Sequence, residues 1–153
     1  MRTIAAISGR LKDRAEFERL SPFLCSLAAR VPPRRAFVEI NCVGERKMAF
    51  LNRVHRGRVG AAEILTFDYG GGPDDGMESP LGEIYLCWAR MRRGAKRRGV
   101  SRKAYAARLL AHGLFHLRGW RHDSEESEAR MEAAERRFLQ GRFSERVLKR
   151  LFA

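Results

Sequence analysis

The sequence predicts an α/β domain, with a small mixed sheet of about four strands packed with about five helices. Three observations carry this. Short stretches with alternating apolar residues recur between segments of helical spacing, the mixture from which layered folds are built. One Gly- and Pro-rich segment lies between two of those stretches, as it would between strands of one sheet. The 153 residues contain no internal repeat or long linker, so 1–153 reads as a single domain. A chain of that size buries roughly two thirds of its unfolded surface without disulfide or metal staples.

Thr3 to Ile7 is expected as an edge strand. Leu11 to Arg30 sets Leu20, Phe23, Leu24, Leu27 and Ala28 at helical spacing, with Pro22 marking a break or a fresh start capped by Ser21, and Pro32 and Pro33 ending it. Ala36, Val38, Ile40 and Cys42 alternate as in a half-buried strand. Glu45 to Val54 returns to helical spacing through Met48 and Leu51, turns at Gly57 to Gly60, and gives way to a strand over Ala62 to Tyr69. The segment Gly70 to Gly76 is followed by neither a GK[ST] motif nor a helix start, so it reads as a hairpin loop rather than a phosphate cradle. A strand follows at Leu81 to Trp88, then helices over Ala89 to Arg98 and Ser101 to Arg118, divided by Gly99 and stopped by Gly119. The last helix opens at Asp123 or Ser124, carries Glu125, Glu126 and Glu128 where the helix dipole favours anions, and runs through Met131, Ala134 and Phe138 to Gly141. The remaining tail is short and basic.

Composition narrows the function. Hydrophobic residues at 44% and charged residues at 32% exclude an intrinsically disordered chain. No apolar run approaches the ~20 residues of a membrane span. Met1 to Arg14 resembles neither a secretory signal nor a transit peptide, so a cytoplasmic location is expected. Cys25, Cys42 and Cys87 form no CxxC pair and read as buried thiols in a reducing compartment rather than metal ligands. The net charge of +13 exceeds what solubility needs and points to a polyanion, nucleic acid first. Nine basic residues and no acid lie between Ala89 and Arg108: Arg90, Arg92, Arg93, Lys96, Arg97, Arg98, Arg102, Lys103 and Arg108. Such a run supplies salt-sensitive, sequence-independent affinity for phosphates.

Three of the four histidines fall in the string HGLFHLRGWRH as His112, His116 and His122. Residues four apart stack on one helical face about 6 Å along the axis, close enough for two imidazoles to meet one ion at ~2.0–2.1 Å. A straight helix would carry His122 about 15 Å beyond His112, so the helix must end between His116 and His122, where Gly119 is placed to turn the chain back. Three neutral imidazoles leave a divalent ion one open position, as in catalytic rather than structural zinc sites, and hydrolysis is the chemistry that follows. The offsets match the long zincin pattern H-E-x-x-H-x-x-G-x-x-H, but Gly113 replaces the glutamate that serves as general base, which argues against peptide hydrolysis.

The string HGLFHLRGWRH resembles the H-G-x-L-H-L-x-G-y-D-H signature of the YbeY family of metal-dependent endoribonucleases. Leu51, Asn52 and Arg56 resemble its L-N-x-x-y-R, Glu63 to Phe67 its D-V-L-S-F strand, and Leu81 to Cys87 its L-G-D-I-y-I strand; Met131 and Glu135 stand where the family has a methionine and an acid. The resemblance covers about residues 36–140. It implies one Zn²⁺ held by His112, His116 and His122, with catalytic roles for His116 and for Arg56, the latter facing the metal cleft and holding a phosphate. It also implies single-strand-specific cleavage in small-subunit ribosomal RNA maturation and ribosome quality control, with ribosomal RNA and the small subunit as partners and no membrane. The oligomeric state is left open. Three positions depart from the family: Arg121 replaces an aspartate before the third histidine, Glu63 replaces a strand aspartate, and Trp120 replaces a tyrosine. Either Asp123 takes over from the missing aspartate or the activity is weaker, while Glu63 keeps its charge for a supporting or acid–base role. Trp120 and Phe67 are expected mainly in packing, with base stacking as the other use. Two other readings stay open: a non-catalytic zinc-stabilised RNA- or ribosome-binding module, and a different metal-dependent hydrolase.

Overall fold

A computed structural model describes residues 4–31, 36–70 and 79–153. In chain order they form β1 (Ile4–Ala6), α1 (Leu11–Ala28), β2 (Ala36–Val43), α2 (Glu45–Arg56), β3 (Ile64–Asp68), β4 (Ser79–Cys87), α3 (Trp88–Arg98), α4 (Arg102–Leu117), α5 (Glu125–Leu139) and α6 (Glu145–Leu151). The four-stranded sheet has the order β1-β2-β4-β3. β1 and β4 both run parallel to β2, and β3 runs antiparallel to β4. The expected mixed sheet is therefore present, with β1 on its edge. Antiparallel pairing of β3 with β4 is what a hairpin requires, although Gly71 to Gly76 of the expected loop lie outside the described residues, as do Thr3, Pro32 and Pro33.

α4 is the centre of the molecule. Its buried residues run all round the helix, from Ala104 and Tyr105 through Leu109 and Leu110 to Leu114 and Leu117, the mark of a core helix rather than a surface one. It packs against α1, α3, α5, α6, β3 and β4. Two glycines allow the close approach to the sheet. A Cβ on Gly82 would stand 2.2 Å from the Phe67 carbonyl oxygen, and one on Gly113 would stand 3.0 Å from Ile64, Thr66 and Ile84. Gly113 thus faces the sheet, and a glutamate does not fit there, which accounts physically for the lost zincin pattern.

Four expectations are corrected. Pro22 does not break α1, which is continuous over Leu11–Ala28. Proline removes one backbone donor, but Pro22 and Glu18 are exposed, so the carbonyl left without its intrahelical partner belongs to the wet side, while Phe17, Leu24, Leu27 and Ala28 hold the other side in the core. Trp88 opens α3 instead of ending β4; it is fully buried and its Nε1 donates to Glu16 Oε1 at 2.7 Å. The basic tail is a sixth helix rather than an irregular end, because Ser144 accepts from the Val147 amide as its N-cap and Leu148 and Leu151 enter the core. The hydrophobic spacing there is only one turn long, too little for periodicity to show.

The fourth correction concerns the basic run. Arg92 pairs with Asp13, Arg93 with Glu45, Arg97 with Glu63, Arg102 with Glu16, and Arg108 with Glu132. Arg98 donates to the Tyr105 hydroxyl at 3.0 Å, and Lys103 lies over the Phe23 ring at 4.4 Å. Most of these charges tie α3 and the start of α4 to α1, α2, the residue before β3 and α5, using acids distant in sequence. Cys42 and Cys87 are buried as expected, with burial pushing the Cys42 thiol up to about 12, while Cys25 is half-buried. No described helix is long and apolar enough to cross a membrane.

Candidate metal centre

α4 carries His112 and His116 out of the core beside β3, and Gly119 ends the helix in the left-handed region at φ +90°. The Gly119 and Trp120 amides donate back to the His116 and Phe115 carbonyls at 2.9 and 3.1 Å. The chain reverses, and His122 returns over the other two rings. Ring centroids are 4.5 Å apart for His112 and His116, 5.3 Å for His112 and His122, and 4.7 Å for His116 and His122. Each offers a nitrogen within 4.8 Å of the others.

The hydrogen bonds show which nitrogens are available. His112 Nδ1 lies 2.8 Å from Glu135 Oε1, and His116 Nδ1 lies 3.0 Å from the Trp120 carbonyl oxygen. Both partners are acceptors, so in the neutral rings each Nδ1 carries the proton and each Nε2 presents a lone pair. Yet the two Nε2 atoms stand 3.0 Å apart. Two lone pairs at that distance repel unless a cation lies between them, and ligands at ~2.0–2.1 Å around a tetrahedral ion stand about 3.3 Å apart. The three imidazoles therefore fit a divalent metal, and the Glu135 carboxylate behind His112 completes the carboxylate–histidine arrangement common around such ions.

Burial and the two neighbouring histidines hold the His116 imidazole below its ordinary pKa of 6.5. The folded metal-free chain then binds less proton at this ring than the unfolded chain does, so this contribution is complete above pH 6.5 and is lost as the pH falls below it. Thermal melts of the metal-free protein between about pH 7.5 and about pH 5 should show stability declining on the acid side. The decline should flatten in His116→Gln, and an unchanged slope in that variant would contradict the assignment.

The histidines open into a cleft of about 950 Å³ between α2, β3 and the α4–α5 turn. Arg56, Arg58 and Arg121 line it, with Asp68 and Asp123 as the acids. Arg56 is held there: its Nη2 donates to the Thr66 carbonyl at 2.6 Å and its guanidinium lies 5.7 Å from the Phe67 ring centre. Trp120 also lines the cleft, 38% exposed and edge-on to Phe115. Asp123 Oδ1 accepts from the Ser127 hydroxyl at the start of α5. Glu63 is elsewhere: its Oε2 accepts from the Tyr105 hydroxyl at 2.7 Å, and it packs beside Gly94 rather than in the cleft.

Sequence reasoning found the histidines, Gly119 and Arg56, and noted Glu135 without giving it a task. The signal for that task was present. Met131, Glu135 and Leu139 form the buried stripe of α5, and an acid in an apolar stripe needs a partner. The Trp120 carbonyl had no sequence signal, since any residue supplies one.

The family described as Endoribonuclease YbeY matches residues 12–142. Curated relatives called Endoribonuclease YbeY include proteins from Cupriavidus metallidurans and Pseudomonas putida. The first is 35% identical over 105 residues, covering 69% of this chain and 52% of the relative; the second is 34% identical over 116 residues, covering 75% and 73%. A third, from Aromatoleum aromaticum, is 35% identical over 104 residues, 68% of this chain and 64% of its own length. The chain thus spans between about half and just under three quarters of these relatives. The solution structure of TM1509 from Thermotoga maritima superposes with a TM-score of 0.53 over 95% of this chain and 97% of that one at 19% identity, a likeness of fold. Sequence match and histidine geometry agree over the same residues, and the chain belongs to the YbeY family.

Proposed function

We propose that this chain is a zinc-dependent, single-strand-specific endoribonuclease acting in the cytoplasm on small-subunit ribosomal RNA, within one domain spanning 1–153. The observation that carries the reading is the meeting of three histidine nitrogens at the floor of an open, arginine-lined cleft. His112, His116 and His122 would hold the ion. When bound, a divalent metal there supplies Lewis-acid polarisation of a phosphoryl oxygen and an acidified water.

The remaining work falls to the protein. Arg56 uses one N–H on Thr66 and keeps its other donors for two oxygens of the scissile phosphate, where a fixed guanidinium stabilises developing charge. Glu135 and the Trp120 carbonyl fix the His112 and His116 tautomers, so both rings are held before any ligand arrives. Asp123 lines the same cleft as the histidines, one residue after His122. Of the two acids lining the cleft it is the one beside the third histidine, placed to exchange protons where the family's aspartate is replaced by Arg121.

Elemental analysis together with RNA cleavage tests this reading. The purified chain should contain about one zinc per molecule, cut single-stranded but not double-stranded RNA, lose the activity to a chelator and regain it with zinc. Cleavage untouched by thorough chelation would overturn it.

A further inference from the structure

On the ribonuclease reading, on which this inference rests, an RNA strand longer than the cleft must run over the neighbouring surface. The conspicuous basic run on α3 and the start of α4 is largely committed to ion pairs. The outer face of α2 is not. Met48, Leu51 and Asn52 bury one side of that helix, and the opposite side presents Arg46, Lys47, Phe50, Arg53 and Val54 in sequence steps of three and four. Phe50 is 47% exposed and Val54 55% exposed. Among the described residues no acid pairs with Arg46, Lys47 or Arg53. Instead Lys47 and Arg53 flank the Phe50 ring at 5.4 and 6.0 Å. An exposed aromatic framed by free cations is suited to stacking a base while its phosphates are neutralised on either side.

Both ends of this face lead into concavities. The C-terminal end of α2 supplies Asn52 and Arg56 to the histidine cleft. Its N-terminal end supplies Arg46, Lys47 and Phe50 to a second groove of about 660 Å³, which also takes in Arg10 and Ser8. The acids lining that groove, Asp13 and Glu45, are already paired with Arg92 and Arg93. From Arg46 to Arg56 the helix advances about 15 Å, the length of roughly four stacked nucleotides at ~3.4 Å each.

We infer that single-stranded RNA engaged at the histidine cleft continues along the outer face of α2, with Phe50 stacking a base and Arg46, Lys47 and Arg53 contacting phosphates. α2 is then the substrate track, and the charge on α3 is structural. Charge complementarity and continuity with the cleft support the track, and every side chain in it is exposed, so substitution leaves the core intact.

The test is fluorescence anisotropy with a short labelled oligouridylate over a range of salt, with chelator present so that binding is read without turnover. Combined Arg46→Ala, Lys47→Ala and Arg53→Ala should lower the slope of log affinity against log salt by about 2 and weaken binding roughly 100-fold near 0.1 M salt, at ~0.7 per lost phosphate contact. Phe50→Ala should cost roughly tenfold with no change of slope. Arg90→Ala with Lys96→Ala, two exposed cations of α3 with neither an ion pair nor a side-chain hydrogen bond among the described residues, should change neither quantity; thermal melts check that all three variants fold. Parent-like slope and affinity in the triple variant, or an equal loss in the α3 variant, would overturn the track. If the chain cleaves RNA but the triple variant binds normally, the track fails and the ribonuclease reading stands. If the triple variant loses affinity and the parent cleaves no RNA with any metal, the ribonuclease reading fails and the track stands.

Discussion

Replacing His116 by alanine is expected to abolish RNA cleavage, by roughly 10³-fold or more, while leaving RNA affinity within about threefold and the fold intact. The loss is large because two remaining imidazoles bind a divalent ion weakly, and a metal hydrolase without its ion loses several kcal/mol of transition-state stabilisation. Affinity survives because the phosphate-binding cations lie on α2 and in the cleft wall and do not depend on the histidine. Folding survives because His116 lines the cleft, half-buried, while α4 is held by Leu109, Leu110, Leu114 and Leu117. Removing one imidazole even relieves the repulsion between the Nε2 atoms 3.0 Å apart, so the metal-free variant should melt no lower than the metal-free parent. Single-turnover cleavage, anisotropy and thermal melts together read the three quantities. If cleavage, affinity and folding collapse as one, the ion is a structural staple, and the protein is better described as a zinc-stabilised RNA-binding module.

What the sequence made legible was whatever is local. The i, i+4 pair and the glycine that returns the third histidine lie within eleven residues, and helix geometry alone brings them together. Strand alternation and turn glycines likewise placed the sheet and its edge. What stayed hidden was long-range. Nine unopposed positive charges in a row looked like a nucleic-acid surface. The acids that pair with five of them, at positions 13, 16, 45, 63 and 132, come from parts of the chain that only the fold brings alongside. Glu63 escaped for the same reason: it sits just before β3, and the partners that engage its carboxylate away from the histidine cleft, Tyr105 and Arg97, are more than thirty residues on in the chain. Pro22 misled because its cost depends on whether the orphaned carbonyl meets water, which is a property of packing.

Glu135 is where the second large effect is expected. It is 1% exposed; one oxygen holds His112 Nδ1, and the other has no hydrogen-bond partner among the described residues, with Arg108 Nε at 4.0 Å. A nearly buried carboxylate is costly to keep, and its return is a fixed His112 ring whose Nε2 is more basic toward a cation. Glu135→Leu removes both the acceptor and the charge. Metal affinity should fall by roughly 10- to 100-fold, the range seen when such supporting carboxylates are lost. Glu135→Gln keeps an acceptor of the same length without the charge, so it should lie between the parent and the leucine variant. The stability of the metal-free protein should move differently, because a packed leucine avoids burying an ion and is often neutral or better. Competition titrations against a chromophoric chelator, paired with melts of metal-free samples, separate the two effects. Parent-like zinc affinity in Glu135→Leu would show that His112 needs no buried anion to bind the ion, and would remove the carboxylate from the metal centre.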